Sequence, residues 1–352
     1  MSGVLVVGTG LIGGSLGLAL TAAGRSVWLT DKDDAAVKLA ADLGAGEPWT
    51  GQECDLVVLA VPPSAVAAEC RVWQEQLPQA TVTDVASVKS QVVDGVRRLA
   101  DPARFVGGHP VAGREVAGVR GARADLFIAR PWVLTSEGVA PERVDAVEEL
   151  IVSVGAVPVR MSAAQHDEAM ALVSHAPQVA ASVMAGLLAD ADPRLVNLAG
   201  QGLRDTTRIA AGDPGLWADI LLGNREAVLP VLEQSSRDLD RIRAALQDSD
   251  TDSVRAGLGV GVTGRSRIPG KHGGSATSYT PVTVVIDDAP GALARLLVAA
   301  GDAGVNVEDL RLEHSPGQPM GLVELAVRPE AAAALAGALT QAGWRVHADQ
   351  RQ

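Results

Sequence analysis

Gly8-Thr9-Gly10-Leu11-Ile12-Gly13 decides the fold. The stretch follows the apolar run Gly3 to Val7, which reads as a short buried strand, and opens a helix reaching about Ala23. Strand, glycine turn and helix in that order are the context a dinucleotide fingerprint requires. Gly8 permits the tight turn, Gly10 lets a pyrophosphate approach the backbone, and Gly13 lets helix and strand pack closely. Leu11 and Ile12 carry the loop into the helix, whose first unpaired N–H groups face the phosphates. Asp31 stands eighteen residues after Gly13, at the end of the next strand, Val27 to Thr30. An acid there accepts hydrogen bonds from the adenosine ribose and repels the 2′-phosphate of NADP, so NAD is the expected cofactor. A solvated turn aspartate is the plainer reading of the same residue.

Working outward, Leu56 to Val61 reads as a buried strand halted by Pro62 and Pro63, which places Val61 and Pro62 beside the cofactor. Thr81 to Val85, Pro131 to Thr135 and Val157 to Arg160 repeat the pattern. Strands alternating with helical stretches predict a parallel, doubly wound Rossmann-type sheet over residues 1–163. From His166 strand signals disappear, and an all-helical second domain is expected over residues 164–256. Met170, Val173, Val183, Met184 and Leu187 fit a buried helix there, and Leu216 to Leu246 looks amphipathic. Residues 257–280, rich in Gly and Ser and carrying Arg265, Arg267 and Lys271, read as a linker. Residues 281–352 then read β-α-β-β-α-β, a ferredoxin-like α+β unit.

The formal net charge of −12 argues against broad nucleic-acid binding. No apolar run is long enough to span a bilayer, and the glycine-broken N-terminus reads as strand and loop rather than a signal peptide. Cys54 and Cys70 form no CxxC pair and no zinc spacing, so no metal site is expected and a cytoplasmic location fits best.

Two segments carry the chemistry: Asp84-Val85-Ala86-Ser87-Val88-Lys89, which follows a strand, and Gly107-Gly108-His109-Pro110-Val111-Ala112-Gly113 with Glu115 beyond it. Ligands bind at the carboxyl edge of open α/β sheets, where Ser87 is expected. Together with GLIGGSL, Val173-Ser174-His175-Ala176-Pro177, Asp205-Thr206-Thr207-Arg208-Ile209-Ala210, Asp213-Pro214 and Trp217, these segments resemble the prephenate/arogenate dehydrogenase family over about the first 245 residues. The resemblance implies that His109 is the base accepting the ring hydroxyl proton of prephenate while hydride leaves the same carbon, with Ser87 orienting imidazole or substrate. Read alone, Ser87 is also a helix N-cap. Arg208 matches the family's substrate-carboxylate arginine, although Asp205 is near enough in sequence to pair with it. His175 matches a position near the substrate, or is a satisfied helix histidine; Glu115 is a further substrate candidate; Trp217 either walls the pocket or is simply core; and His166 is a recurrent family position without assigned chemistry. Arg114 stands where the family usually has a small hydroxyl residue, and Gln178 where a second histidine is frequent, so substrate preference does not transfer automatically.

Asp287-Asp288-Ala289-Pro290-Gly291-Ala292-Leu293 with Gly304-Val305-Asn306-Val307 resembles an ACT regulatory domain. Asp288, Pro290, Gly291, Ala292 and Asn306 are then the expected ligand residues, tyrosine the expected effector, and a homodimer the expected assembly. A domain that only stabilises assembly is the plainer alternative. Arogenate dehydrogenase, a catalytically silent amino-acid sensor and a β-hydroxyacid dehydrogenase are the rival readings of the whole chain. The intact His109, Ser87 and Arg208 set speaks against the sensor, and no lysine motif on the helical domain supports the last.

Overall fold

The computed structural model describes residues 3–112, 118–268, 279–314 and 319–348. Arg114 and Glu115, and Lys271 of the expected linker, lie outside the described residues. The chain forms two compact units, Met1–Arg237 and Asp238–Gln352.

The first unit is built on an eight-stranded sheet. Its strands are β1 (Gly3–Val7), β2 (Val27–Thr30), β3 (Glu47–Pro48), β4 (Cys54–Leu59), β5 (Thr81–Asp84), β6 (Phe105–Pro110), β7 (Pro131–Thr135) and β8 (Val157–Arg160), in the spatial order β3-β2-β1-β4-β5-β6-β7-β8. Successive side chains of a strand point to opposite faces. Val4 and Val6 accordingly join one core with Leu16, Leu20, Val147 and Leu150, while Leu5 and Val7 join another with Val66, Trp73, Val92 and Val96. Burial on both faces explains why these strands read as continuous apolar runs rather than alternating ones. The direction of strand succession reverses between β1 and β4, so the glycine loop after β1 and the Ala60–Pro62 turn after β4 meet at the crevice where such sheets take nucleotides.

The sheet is mixed, which corrects the expectation of a purely parallel one. β6 and β7 pair antiparallel, with His109 opposite Val133, and β8 then follows β7 in parallel. β6 itself escapes a sequence reading, because Gly107, Gly108 and Pro110 are poor strand formers. Tertiary closeness demands those glycines: a Cβ on Gly107 would sit 2.3 Å from Thr135 Oγ1, and one on Gly108 would sit 2.5 Å from the Asp84 carbonyl oxygen.

A helical layer follows the sheet within the same unit. Helix Ala163–Met170 runs into a π-helical turn, Ala171–His175, and then helix Ala176–Gly186. Pro177, in the first turn of that last helix, has no N–H to donate and its ring crowds the carbonyl four residues back, which accounts for the widened turn before it. Of the residues expected to be buried here only Met170 is; Val173, Val183, Met184 and Leu187 are 63, 62, 42 and 68 % exposed. Their period marks one apolar face, and among the described residues nothing covers it.

The expected linker also needs correction. Its first part belongs to a helix, Thr251–Ser266, capped by Asp250, whose carboxylate accepts from the amides of Asp252 and Ser253. Gly257 is there for contact: a Cβ on it would meet Ile242 Cγ1 at 3.0 Å. In the second unit β9 (Thr280–Asp287), β10 (Asp309–His314), β11 (Met320–Val327) and β12 (Arg345–Ala348) form an antiparallel sheet ordered β10-β11-β9-β12. Helices Ala292–Asp302 and Pro329–Gln341 complete the β-α-β-β-α-β order and bury Leu296, Leu335 and Leu339 against Val284, Val323 and Leu325.

The tightest backbone approach in the sheet unit yields a test. A methyl on Gly13 would lie 1.9 Å from the Gly8 carbonyl oxygen and 3.0 Å from Ala60 Cβ. Gly13→Ala is expected to lower unfolding free energy by about 1–3 kcal/mol, the usual range for overpacking. Urea titration followed by circular dichroism measures it, and an unchanged midpoint would show that the loop yields without cost.

Candidate active site

Four loops or strand ends converge at the carboxyl edge of the parallel strands, and each expected cofactor residue belongs to one of them. Gly8, at φ 97°, holds the left-handed turn that ends β1, and its missing Cβ leaves space for Ala60, whose carbonyl oxygen would lie 2.3 Å away. Val61 Cγ1 lies 3.4 Å from the same point, so the turn after β4 braces the loop. Gly10 is exposed, with nothing within 4 Å of where its Cβ would be. A closed turn beside an open glycine at the start of helix Leu11–Ala22 is a cradle of the kind a pyrophosphate fills. Ile12 turns inward and packs on the core, Leu11 is half-buried, and Pro62 is exposed as the residue before helix Pro63–Gln76.

Asp31 does more than the sequence indicated. Its Oδ2 accepts from the Thr9 amide at 2.6 Å and the Thr9 hydroxyl at 3.1 Å, and its Oδ1 accepts from the Asp33 amide at 3.1 Å. The carboxylate thus ties the end of β2 to the glycine loop and keeps lone-pair capacity on Oδ1.

His109 ends β6 almost fully buried. Its Nδ1 lies 2.8 Å from His166 Nε2, and His166 Nδ1 lies 2.8 Å from Asp167 Oδ1. Asp167 Oδ1 also accepts from the Lys89 amide and Oδ2 from the Ser90 amide, both at 2.8 Å, at the start of helix Ser90–Leu99. Beneath this chain Lys89 Nζ donates to Asp84 Oδ2, both side chains being wholly buried. Asp84 accepts in addition from the Ala86 amide at 3.0 Å and the Gly108 amide at 2.9 Å, which anchors the strand residue next to His109. Ser87 lies in the loop after β5, half-buried, and is not a cap: helix Ser90–Leu99 begins after Lys89.

On the helical layer, His175 ends the π turn and is buried; its Nδ1 lies 3.0 Å from Asn224 Nδ2, which also donates to the Asp167 carbonyl at 2.8 Å. Trp217 stacks edge-on to His175, ring centroids 6.2 Å apart, and packs on the sheet core as well. Arg208 is exposed and opens a 3-10 turn, Arg208–Ala211, that includes the half-buried Ile209 and Ala210 and packs on the helix following His175. Asp205 is engaged by Gln201 Nε2 at 2.8 Å. Asp84, Lys89, His166, Asp167 and Asn224 were not singled out for chemistry in the sequence. The available signal was Asp84 and Lys89, two opposite charges five residues apart in an otherwise apolar stretch.

Both imidazoles facing the site are held neutral. Burial, reinforced by His166, Lys89 and His175, pushes the His109 pKa well below the ordinary histidine value. Burial likewise pushes His175 down to about 4, with Asp167 opposing and His166 adding to the shift. Asp167, despite burial that works the other way, is held below the usual carboxylate range by its hydrogen bonds from His166, Ser90 and Lys89. A neutral buried imidazole with one nitrogen engaged is a competent general base.

Comparison with known proteins matches the chain along its length. The nucleotide-binding domain profile of prephenate dehydrogenases covers residues 16–160 and their dimerization domain profile residues 162–260. A probable prephenate dehydrogenase of Streptomyces niveus is 34 % identical over 98 % of this chain and 99 % of its own. Among solved structures, prephenate dehydrogenase from Aquifex aeolicus in complex with hydroxyphenyl propionate and NAD+ is 29 % identical, with a TM-score of 0.68 over 75 % of this chain and 98 % of its own. An arogenate dehydrogenase of Synechocystis is 27 % identical, with a TM-score of 0.64 over 76 % of this chain and 99 % of its own.

The depressed histidines make stability pH-dependent. Unfolded, each takes up a proton near pH 6.5; folded, His175 does so only near 4. Between those values the unfolded state binds more protons, so stability is complete above about pH 6.5 and is lost as pH falls toward 4. His175 alone accounts for about 3 kcal/mol of that loss. Denaturant midpoints at a series of pH values are expected to fall across this window, and His175→Asn to flatten the slope; a flat wild-type profile would mean the histidines are not held neutral.

Proposed function

The chain belongs to the prephenate dehydrogenase family, and on that premise we propose a reaction with roles for named residues. The activity is the NAD-dependent oxidative decarboxylation of prephenate to 4-hydroxyphenylpyruvate, in tyrosine biosynthesis. NAD, when bound, supplies the hydride acceptor. Gly8, Gly10 and Gly13 make the cradle for its pyrophosphate, Leu11 and Ile12 begin the helix that faces it, Val61 and Pro62 wall it, and Asp31 meets the adenosine ribose. His109 accepts the hydroxyl proton through Nε2, the nitrogen its neighbour His166 leaves over, and Ser87 orients the hydroxyl. Loss of carbon dioxide then aromatises the ring, because the new ring carbonyl takes up the electron pair of the breaking bond. Arg208 holds a substrate carboxylate, with His175 and Trp217 completing the pocket, and the sequence-based candidates Glu115 and Arg114 follow β6 in the chain. The observation that carries this reading is His109: a neutral imidazole on the carboxyl edge of β6, which runs parallel to β5 and so ends at the same edge of the sheet as the glycine cradle.

The exposed apolar face of Val173, Val183, Met184 and Leu187 lies within the segment that matches a dimerization domain, and supports a homodimer in which a second copy covers it. In the second unit we assign an ACT-type regulatory role with tyrosine as effector. What supports it is a cavity of about 450 Å³ whose lining includes Asp288, Ala289, Gly291, Ala292 and Leu312. Gly291, at φ 80°, starts helix Ala292–Asp302 in the left-handed region; the Ala292 amide donates to the Ala289 carbonyl oxygen at 3.1 Å, and Leu293 and Ala294 of the same first turn also line the cavity, at the helix end that favours a carboxylate. Pro290 and Asn306 do not line that cavity; Asn306 Nδ2 donates to Glu308 Oε1 at 2.9 Å instead.

Initial rates with prephenate or arogenate, each with NAD or NADP, test the reaction. Prephenate with NAD is expected to be the fastest pair, and His109→Asn to lower kcat about 10³-fold with NAD affinity retained. Faster turnover of arogenate would shift the assignment to that substrate, and near-wild-type turnover of the variant would remove His109 as base.

Tyrosine added to the same assay is expected to inhibit, and Ala289→Glu, which sets a negative charge at the cavity, to weaken inhibition at least tenfold with kcat unchanged. Tyrosine inhibition that survives the substitution would place the effector elsewhere.

A further inference from the structure

We infer that His166 and Asn224, both fastened to Asp167, are positioning residues that set opposite tautomers on the two imidazoles of the site: His109 with a bare Nε2, His175 with a protonated one. The inference rests on the reaction proposed above but is argued from hydrogen bonds alone. Asp167 is the fixed point. Two backbone amides, Lys89 and Ser90, donate to its carboxylate at the first turn of helix Ser90–Leu99, where the helix end favours negative charge. An ionised carboxylate only accepts, so the bond from Asp167 Oδ1 to His166 Nδ1 puts a proton on that nitrogen. A neutral His166 then has a lone pair on Nε2, and this lone pair accepts from His109 Nδ1–H at 2.8 Å. Neutral His109 has one ring proton; with it committed to Nδ1, Nε2 is free to take the substrate proton. When it does, the resulting imidazolium still has its acceptor in place, with the Asp167 carboxylate one ring further back.

The second tautomer follows from Asn224. Its Nδ2 donates to the Asp167 carbonyl oxygen at 2.8 Å, which identifies that terminus of the side chain as the NH2 group. The same NH2 lies 3.0 Å from His175 Nδ1, so His175 accepts there and carries its own proton on Nε2. One aspartate, through its carboxylate on one side and its carbonyl on the other, thereby makes one imidazole an acceptor and its neighbour a hydrogen-bond donor. Such a pair suits a substrate whose hydroxyl first gives up its proton and whose same oxygen, now the ring carbonyl, gathers charge as carbon dioxide leaves. The groups around His109 that bear on this arrangement are His166, Lys89 and His175, with Asp84 pairing Lys89 and Asp167 holding His166.

Nitrogen-15 NMR of the full-length enzyme labelled at histidine reads the tautomers directly, without substrate. At pH 7.5 His109 is expected to show an Nδ1–H signature and His175 an Nε2–H signature. His166→Ala is expected to let His109 populate both tautomers and to lower kcat about 10²-fold, with KM for prephenate within about threefold. His166→Gln, whose carboxamide oxygen again accepts from Nδ1–H, is expected to recover at least tenfold of that loss. A wild-type His109 protonated on Nε2, which a cationic His166 would impose, overturns the inference, as does kcat within threefold of wild type in His166→Ala. Expected tautomers in an enzyme that ignores prephenate would instead overturn the substrate assignment and leave the brace standing.

Discussion

The carboxylate of Asp84 sits wholly out of water at the end of β5, surrounded by donors: Lys89 Nζ, the Ala86 amide and the Gly108 amide. Taking two charges out of water costs several kcal/mol per ion, so the pair persists only where the remaining lone pairs are also met. Here they are met by backbone from two different segments. The pair therefore links the loop that carries Ser87 to the strand that carries His109, and removing either partner leaves a lone buried charge, a loss of about 3–5 kcal/mol. Burial pushes the Lys89 ammonium down, and Asp84, then Asp167, pull it back toward the charged form. The backbone amide of the same lysine holds Asp167. Lys89 is thus joined to both carboxylates beneath the site, one through its side chain and the other through its main chain.

That arrangement explains how a site proposed to hold a carboxylate substrate can have neutral imidazoles. A cationic histidine would hold a carboxylate well but has no lone pair with which to take a proton. Burial and nearby Lys89 hold His109 neutral, and the tasks of charge attraction and proton removal are divided between separate side chains. In the proposed reaction Arg208, at the start of a 3-10 turn of the helical layer, serves the first.

How much of this was legible in the sequence depends on whether a residue's meaning is local. The glycine loop was readable because its strand, turn and helix are contiguous. Gly107 and Gly108 look like strand breakers until Thr135 and the Asp84 carbonyl oxygen are brought against them. The Gly-rich run from Gly257 looks like a tether until it is wound into a helix whose glycine meets Ile242. Val173 and Met184 look like core because an apolar helix face reads the same whether the chain or another copy covers it. His166 is the clearest case: its neighbour Asp167 is adjacent in sequence, but its other partner, His109, is 57 residues away on a different layer. No spacing rule connects the two.

The same distinction bears on where the chain tolerates change. The roles proposed for Ser87 and Arg208 need only their own side chains and the backbone that holds them. The role proposed for His109 needs one nitrogen whose availability is decided elsewhere, on a helix beginning at Ala163 and by amides beginning another at Ser90. Any rearrangement that parts the sheet from the helical layer would first release His109 Nδ1 from His166, and with it the tautomer. The contact between layers and the readiness of the base are therefore one quantity: in this fold the packing of helix Ala163–Met170 against helix Ser90–Leu99 is itself a condition of the chemistry.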